Sequence, residues 1–180
     1  MEKESYPSQD ELTRQRMEHA ARYIQNTLPK HVSLTLSEAL VLGLLRQGVK
    51  TYLTVFGHGS TEIGEVLRIY QQAGLLKVLG VRSEIEASHA ATALRWVTGE
   101  KAAVVTSIGP GALHALAASL VPASDGIGVW YLFGNETTED EGFNMQQVPK
   151  HEQGAFLQLA ATMGRAYNLH TPLALPIALQ

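Results

Sequence analysis

The sequence predicts a doubly wound α/β domain on a mainly parallel sheet of five or six strands. Three observations carry that expectation: short β-rich runs that are apolar on both faces, amphipathic segments of helical period between them, and glycine-containing loops at the junctions. Strands buried on both faces and separated by helices require a parallel sheet covered on both sides, joined by right-handed crossovers. In such sheets ligands bind outside the carboxyl ends of the strands, where the crossovers diverge.

Residues 1–30 differ from the rest. Lys3, Arg14, Arg16, Arg22 and Lys30 offset Glu2, Glu4, Asp10, Glu11 and Glu18. Ser8 and Glu11 have capping-box spacing, and Leu12, Met17, Ala20, Ala21 and Ile24 form a thin apolar stripe ending before Pro29, which predicts a helical arm. Two readings of the arm stay open, a clip onto a partner subunit and a solvated terminal extension.

The main domain is expected over 31–180. Thr35 and Glu38 form a second capping box ahead of Ala39, Leu40, Leu44 and Leu45, and Gly48 stops that helix. Tyr52 to Phe56 reads as a strand that ends in Gly57-His58-Gly59-Ser60, after which Ile63, Val66, Leu67 and Tyr70 recur at helical spacing up to Gly74. The unit repeats as a strand over Leu76 to Val81 with a helix from Glu84 to Val97, then as a strand over Ala102 to Thr106 with a helix from Gly111 to Ser119. Ile127 to Phe133 is expected as a fourth strand, a helix follows across Glu152 to Ala161, and Arg165 to Leu169 is expected as a fifth strand. Thr171-Pro172 opens a last helix through Leu173, Leu175 and Ile177, with a sixth strand expected to be missing.

Composition bounds the function. At 180 residues and 45% hydrophobic content the chain suits one ordinary domain. With 14 Lys plus Arg against 17 Asp plus Glu, the net charge of −3 makes no field that would draw it to nucleic acid or an anionic membrane, so neither is an expected partner. The lack of cysteine excludes disulfide and thiolate chemistry and fits a reducing cytoplasm, the expected location. No apolar run approaches the ~20 residues of a membrane span. The charged start Met1-Glu2-Lys3-Glu4-Ser5 has no apolar segment behind it, so a soluble, unexported chain is expected.

Chemistry concentrates at the expected strand ends. Glu84 opens a helix after Val81-Arg82-Ser83, and Thr106-Ser107-Ile108-Gly109-Pro110-Gly111-Ala112-Leu113-His114 leaves the next strand, so a carboxylate and a glycine-proline-glycine turn meet at one sheet edge. A carboxyl group in such a cleft loses hydration and is suited to hold or give a proton. Taken alone, Glu84 also reads as a first-turn glutamate that complements the helix dipole. Glu86 lies two residues on and faces another way around the helix, and His89 reads as a buried, hydrogen-bonded residue. Glycine at 109 and 111 allows close backbone approach, and Pro110 suits a helix start. His58 is a candidate acid, base or oxyanion donor beside its reading as a surface or packing residue. Glu139, Asp140 and Glu141 are consecutive and lack the alternating spacing of a calcium loop, which makes them a solvated face. Residues 134–147 read as a long acidic loop, either a lid or disordered.

As a set, the Gly57-His58-Gly59 loop, Glu84 with His89 five positions on, and Thr106 to Ala112 resemble the pyrimidine-binding domain of thiamine diphosphate enzymes, over about Thr35 to Pro172. Acetolactate synthase is the best-known group. Phe56-Gly57-His58-Gly59 and Ile108-Gly109-Pro110-Gly111-Ala112 look closest to the relatives that include trihydroxycyclohexanedione hydrolase of inositol breakdown. The resemblance implies thiamine diphosphate as cofactor. It also implies that Glu84 hydrogen-bonds N1′ of the aminopyrimidine, favouring the imino tautomer that removes the thiazolium C2 proton. The loop glycines Gly57 and Gly59 and the turn Gly109, Pro110 and Gly111 would line that cofactor, with His58 near the reacting carbons. Phe143 with Gln146 or Gln147 matches residues that relatives bring to the neighbouring subunit's cofactor. His114 stands where the family most often has Asn, and a substrate, lid or subunit-contact role is open for it.

The family binds diphosphate and Mg²⁺ through Gly-Asp-Gly followed later by Asn-Asn, and Ser124-Asp125-Gly126 is not followed by that pattern. No Walker lysine loop and no GxGxxG after a strand is present. The resemblance therefore implies half a site, with no metal ligand of its own. A diphosphate-binding domain or subunit would complete it and hold Mg²⁺, in a homodimer or heterotetramer acting on a 2-oxo acid or related ketone. The expected activity makes or breaks a C–C bond next to a carbonyl, as a 2-oxo acid decarboxylase, an acetolactate synthase-like carboligase or a C–C hydrolase, and only with the diphosphate-binding unit. The alternatives are a catalytically idle binding or assembly module of the same fold, and an unrelated flavodoxin-like domain that binds a nucleotide or flavin.

Overall fold

In the computed structural model, which describes residues 6–135 and 154–180, four parallel strands carry helices on both faces. The elements are α1 (Gln9–Ile24), α2 (Leu36–Arg46), β1 (Thr51–Val55), α3 (Thr61–Gln72), β2 (Lys77–Gly80), α4 (Glu84–Thr98), β3 (Ala102–Thr106), α5 (Pro110–Ser124), β4 (Trp130–Phe133), α6 (Ala155–Ala161) and α7 (Leu175–Ala178), with a 3₁₀ turn at Pro172–Ala174. The sheet order is β2-β1-β3-β4, all parallel, with Thr54 between Gly80 and Val105 and Thr106 between Val55 and Phe133.

Strand side chains alternate between faces with period two. Tyr52, Ala103 and Val105 meet Leu40, Val41 and Leu44 of α2 and Val66, Leu67 and Tyr70 of α3. Leu53, Ala102 and Val104 meet Ala87 and Ala91 of α4 and Ala115 of α5 on the opposite face. The α4–α5 contact is made by small residues, and the buried Ser88 Oγ lies 2.9 Å from the Ala115 carbonyl and 3.2 Å from Tyr131 Oη. Burial raises the Tyr131 phenol above its ordinary pKa, against a smaller lowering by Ser88.

The Ser8–Glu11 capping box closes the start of α1 as its spacing predicts. Buried Leu12, Arg16 and Ala20 seat this helix against α3. Arg16 is fully buried. Its Nη2 pairs with Glu62 and lies 3.4 Å from Thr35 Oγ1, while Nε and Nη1 have no partner among the described residues. One turn on, Glu38 Oε1 accepts from the Tyr70 hydroxyl at 2.9 Å and lies 2.9 Å from His19 Nδ1. Burial, then the Glu38 charge and hydrogen bond, push the Tyr70 phenol up.

Several boundaries differ from expectation. The fourth strand starts at Trp130 rather than Ile127, because Gly126 has φ +66° and the Ile127 N–H turns back to the Pro122 carbonyl at 2.9 Å. α5 runs on to Ser124 past Pro122, whose missing N–H falls in the last turn. Residues 165–169 form no strand. An extended run becomes a strand only by pairing, and no ladder reaches these residues, so among the described residues four strands stand where five or six were expected. The last predicted helix is reduced to the 3₁₀ turn and the four residues of α7. Among the described residues no helix is long and apolar enough to cross a membrane.

Truncating a fully buried side chain removes its transfer energy and leaves a cavity. Leu44→Ala, at 0% exposure, is expected to lower unfolding free energy by about 2–5 kcal/mol in urea denaturation. Leu173→Ala, at 86% exposure, is expected to stay within about 0.5 kcal/mol. Equal losses for the two would contradict this core.

Candidate functional site

The strand order places a switch between β1 and β3, where one crossover leaves toward each face. After β1 the chain turns tightly. The Ser60 N–H and Oγ both donate to the Gly57 carbonyl, at 3.1 and 3.0 Å, and the Gly57 N–H lies 3.1 Å from Ser60 Oγ. Across the gap the Ile108 N–H donates to the His58 carbonyl at 3.0 Å. The Gly134 N–H donates to the Thr106 carbonyl at 3.1 Å, tying the end of β4 to the same edge.

These backbones approach too closely for side chains. A Cβ on Gly57 would lie 2.7 Å from Ser107 Cβ, and one on Gly59, which has φ +78°, would lie 2.7 Å from Asn135 N. β3 leaves through Gly109 at φ +62° into Pro110, the first residue of α5. A Cβ on Gly111 would collide with Ser107 Oγ and lie 2.9 Å from Glu84 Oε1.

Glu84 is the first residue of α4, after an extended N-cap Ser83 that accepts from the Glu86 N–H at 3.3 Å. It is 9% exposed, and its Oε2 lies 3.2 Å from His114 Nδ1. The helix N-terminus favours its negative charge. Its Oε1 comes to the backbone of Gly111, at the start of a second helix and beside Ser107.

The structure brings Glu84, Gly111 and His114 together, with Gly57 joined to them through Ser107. His58 and Gly59 lie one loop away, against Ile108 and Gly134–Asn135. Glu86 is exposed and accepts from the Arg82 N–H at 3.2 Å, on another side of α4 from Glu84. His89 is exposed, which corrects the expectation of burial. The inward stripe of α4 is Glu84, Ala87, Ser88, Ala91 and Thr92, and position 89 falls with Ile85 and Trp96 on the outer side. Phe143, Gln146 and Gln147 lie outside the described residues, as do Glu139, Asp140 and Glu141.

Ser107 carries no site role in the sequence reading of the turn motif, yet Gly57 and Gly111 both pack on it. The signal available in sequence was a small residue at the strand end between two glycine loops. A cavity of about 670 Å³ lies on the β4 side, walled by Leu36, Ile63, Ile108, Trp130 and Tyr167 and reaching Gly59 and Gly109. Glu84 is not among its described walls. The cavity is a largely apolar space at the sheet edge, whereas Glu84, Ser107 and His114 converge around Gly111. Among the described residues no group of three or more His, Asp or Glu is positioned to hold a metal.

No curated protein matches the chain. The family described as thiamine pyrophosphate enzyme, N-terminal TPP binding domain, matches residues 34–165. That span takes in all four strands and every residue of the cluster around Glu84. The chain belongs to the thiamine pyrophosphate enzyme family, through its N-terminal cofactor-binding domain.

Proposed function

We propose that this domain supplies the aminopyrimidine half of a thiamine diphosphate site, with Glu84 as the group that hydrogen-bonds the pyrimidine ring. The observation that carries this reading is a nearly buried carboxylate brought against the backbone of Gly111 at the sheet edge where the β1 and β3 crossovers diverge. The loops that carry Gly57, Gly109 and Gly111 meet around Ser107 at this edge, and the aminopyrimidine would lie against them beside Glu84. The diphosphate and Mg²⁺ fall to a second domain or chain.

When bound, the cofactor supplies the chemistry for making or breaking a C–C bond next to a carbonyl. The protein's own work is to hold and orient. Glu84 would hold or give a proton at its carboxylate toward the ring. Gly109, Pro110 and Gly111 would line the cofactor, and the loop Gly57–Gly59 would offer His58 to the substrate as acid, base or oxyanion donor. The Phe56–Gly59 and Ile108–Ala112 strings favour an acetolactate synthase-like enzyme of the kind that includes trihydroxycyclohexanedione hydrolase, acting on a 2-oxo acid or related ketone.

The outer side of α4 and α5 supports the need for a partner. Ile85, Trp96, Val97, Leu113, Leu120 and Val121 are exposed there, and Ile85 and Leu113 directly adjoin Glu84 and His114. Apolar surface continuous with an incomplete site is suited to the diphosphate-binding unit that completes it, in a homodimer or heterotetramer.

Pull-down of the chain from its native lysate is expected to recover a protein carrying Gly-Asp-Gly and Asn-Asn. In the reconstituted complex Glu84→Gln is expected to lower turnover of 2-oxo acids by about 10²-fold or more. Unchanged turnover sinks the assignment of Glu84 and favours an idle module. Gly111→Ala separates propensity from crowding: alanine in an open helix gains about 1 kcal/mol over glycine, but here its Cβ meets Glu84 and Ser107. The variant is expected to melt lower and to lose activity. A variant that is more stable and fully active would show that the turn has room.

A further inference from the structure

Glu84 has two carboxylate oxygens in different settings. Oε1 faces Gly111, and Oε2 faces the imidazole of His114 at 3.2 Å. Gly111 and His114 are three residues apart on α5 and so share a side of that helix. One gives the carboxylate room to approach, and the other supplies a donor where it arrives. Glu84 itself is anchored only through the backbone at the first position of α4, and a glutamate side chain has three torsions to settle.

We propose that His114 is the positioning residue of Glu84: its Nδ1–H holds Oε2, and this turns Oε1 toward the glycine surface where the pyrimidine ring would lie. The assignment rests on the reading of Glu84 given above and adds a residue to it. His114 takes no part in the bond-making step; it acts through Glu84. The neutral imidazole must carry its proton on Nδ1 to do so, which leaves Nε2 facing outward on a side chain that is 61% exposed.

That exposure makes the idea testable. An ion pair or hydrogen bond with so much solvent on one partner adds little to folding stability, so loss of His114 leaves the fold intact while freeing the carboxylate to rotate. Misplacing a reacting group by a fraction of its length is costly to turnover even when binding survives. Asparagine places its amide nitrogen close to where histidine places Nδ1, so His114→Asn keeps the donor and His114→Ala removes it.

The first measurement is ¹⁵N NMR of the full chain labelled at histidine, with the His114 signals identified by their loss in His114→Asn. The Nδ1–H tautomer is expected in the native protein, with return to the ordinary Nε2–H tautomer in Glu84→Ala. An ordinary tautomer in the native protein, unmoved by Glu84→Ala, overturns the proposal. In the complex with the diphosphate-binding partner, His114→Ala is expected to lower turnover about tenfold with melting temperature unchanged, and His114→Asn to restore it. Full turnover in His114→Ala overturns the positioning role even if Glu84→Gln is inactive. Full turnover in Glu84→Gln instead overturns the reading of Glu84, and the tautomer result then decides the His114 contact by itself.

Discussion

Between β1 and β3 the chain leaves the sheet toward opposite faces, α3 to one and α5 to the other, and a parallel sheet cannot close the gap this opens with its own ladder. The gap is bridged by loop backbone. Ile108 N–H reaches the His58 carbonyl, and Gly57 rests on Ser107 because neither residue has bulk to hold the loops apart. A larger side chain at 57 or 107 would push the β1 and β3 loops away from each other and take the α5 start away from Glu84. The positions of His58, Gly109 and Gly111 all follow from this contact.

Glu84 reaches the gap from a third direction, and its arrival depends on packing some distance away. α4 follows β2, on the far side of β1, yet lies on β1, β3 and α5. Ala87, Ala91 and Ala115 let α4 and α5 approach closely, and Ser88 pins the contact at the Ala115 carbonyl. Larger residues there would separate the helices and lift the carboxylate from Gly111. The structural and chemical readings of Glu84 are thus compatible. A helix start that stabilises negative charge also keeps a nearly buried carboxylate tolerable beside a second helix start.

The sequence made the α/β class legible because burial on both faces and a helical period leave few other architectures. It also marked the glycine turns and the Ser8–Glu11 capping box, each a local rule with a residue-specific cause. The expected Thr35–Glu38 box forms only in half: Thr35 Oγ1 accepts from the Glu38 N–H, but the Glu38 carboxylate turns to Tyr70 and His19 in the core. What it missed required partners distant in sequence. The run 165–169 has the composition of a strand, but a strand depends on a neighbouring edge. His89 lies outward because the buried stripe of α4 runs through Glu84, Ala87, Ser88, Ala91 and Thr92, and a shift of one position turns a side chain about 100° around a helix. The pair of Glu84 with His114 spans two helices, and the role of Ser107 emerges only when two glycine loops fold onto it.

The match to the family begins at residue 34, but the packing does not respect that boundary. Arg16 of α1 is fully enclosed and pairs with Glu62 in the first turn of α3, immediately after the loop that carries His58. It also approaches the Thr35 hydroxyl that caps α2, so one guanidinium touches two helix starts of the matched domain. A buried cation without its carboxylate, or the reverse, is far costlier than either group in water. With Nε and Nη1 lacking partners among the described residues, the Glu62 pair is the main compensation for burying this charge. Removing α1 would therefore expose the face of α3 around Ile69 and leave Glu62 unpaired beside the Gly57–Ser60 turn. The helix is thus tied to the start of α3, next to the loop that carries His58, by packing and by the Arg16–Glu62 pair.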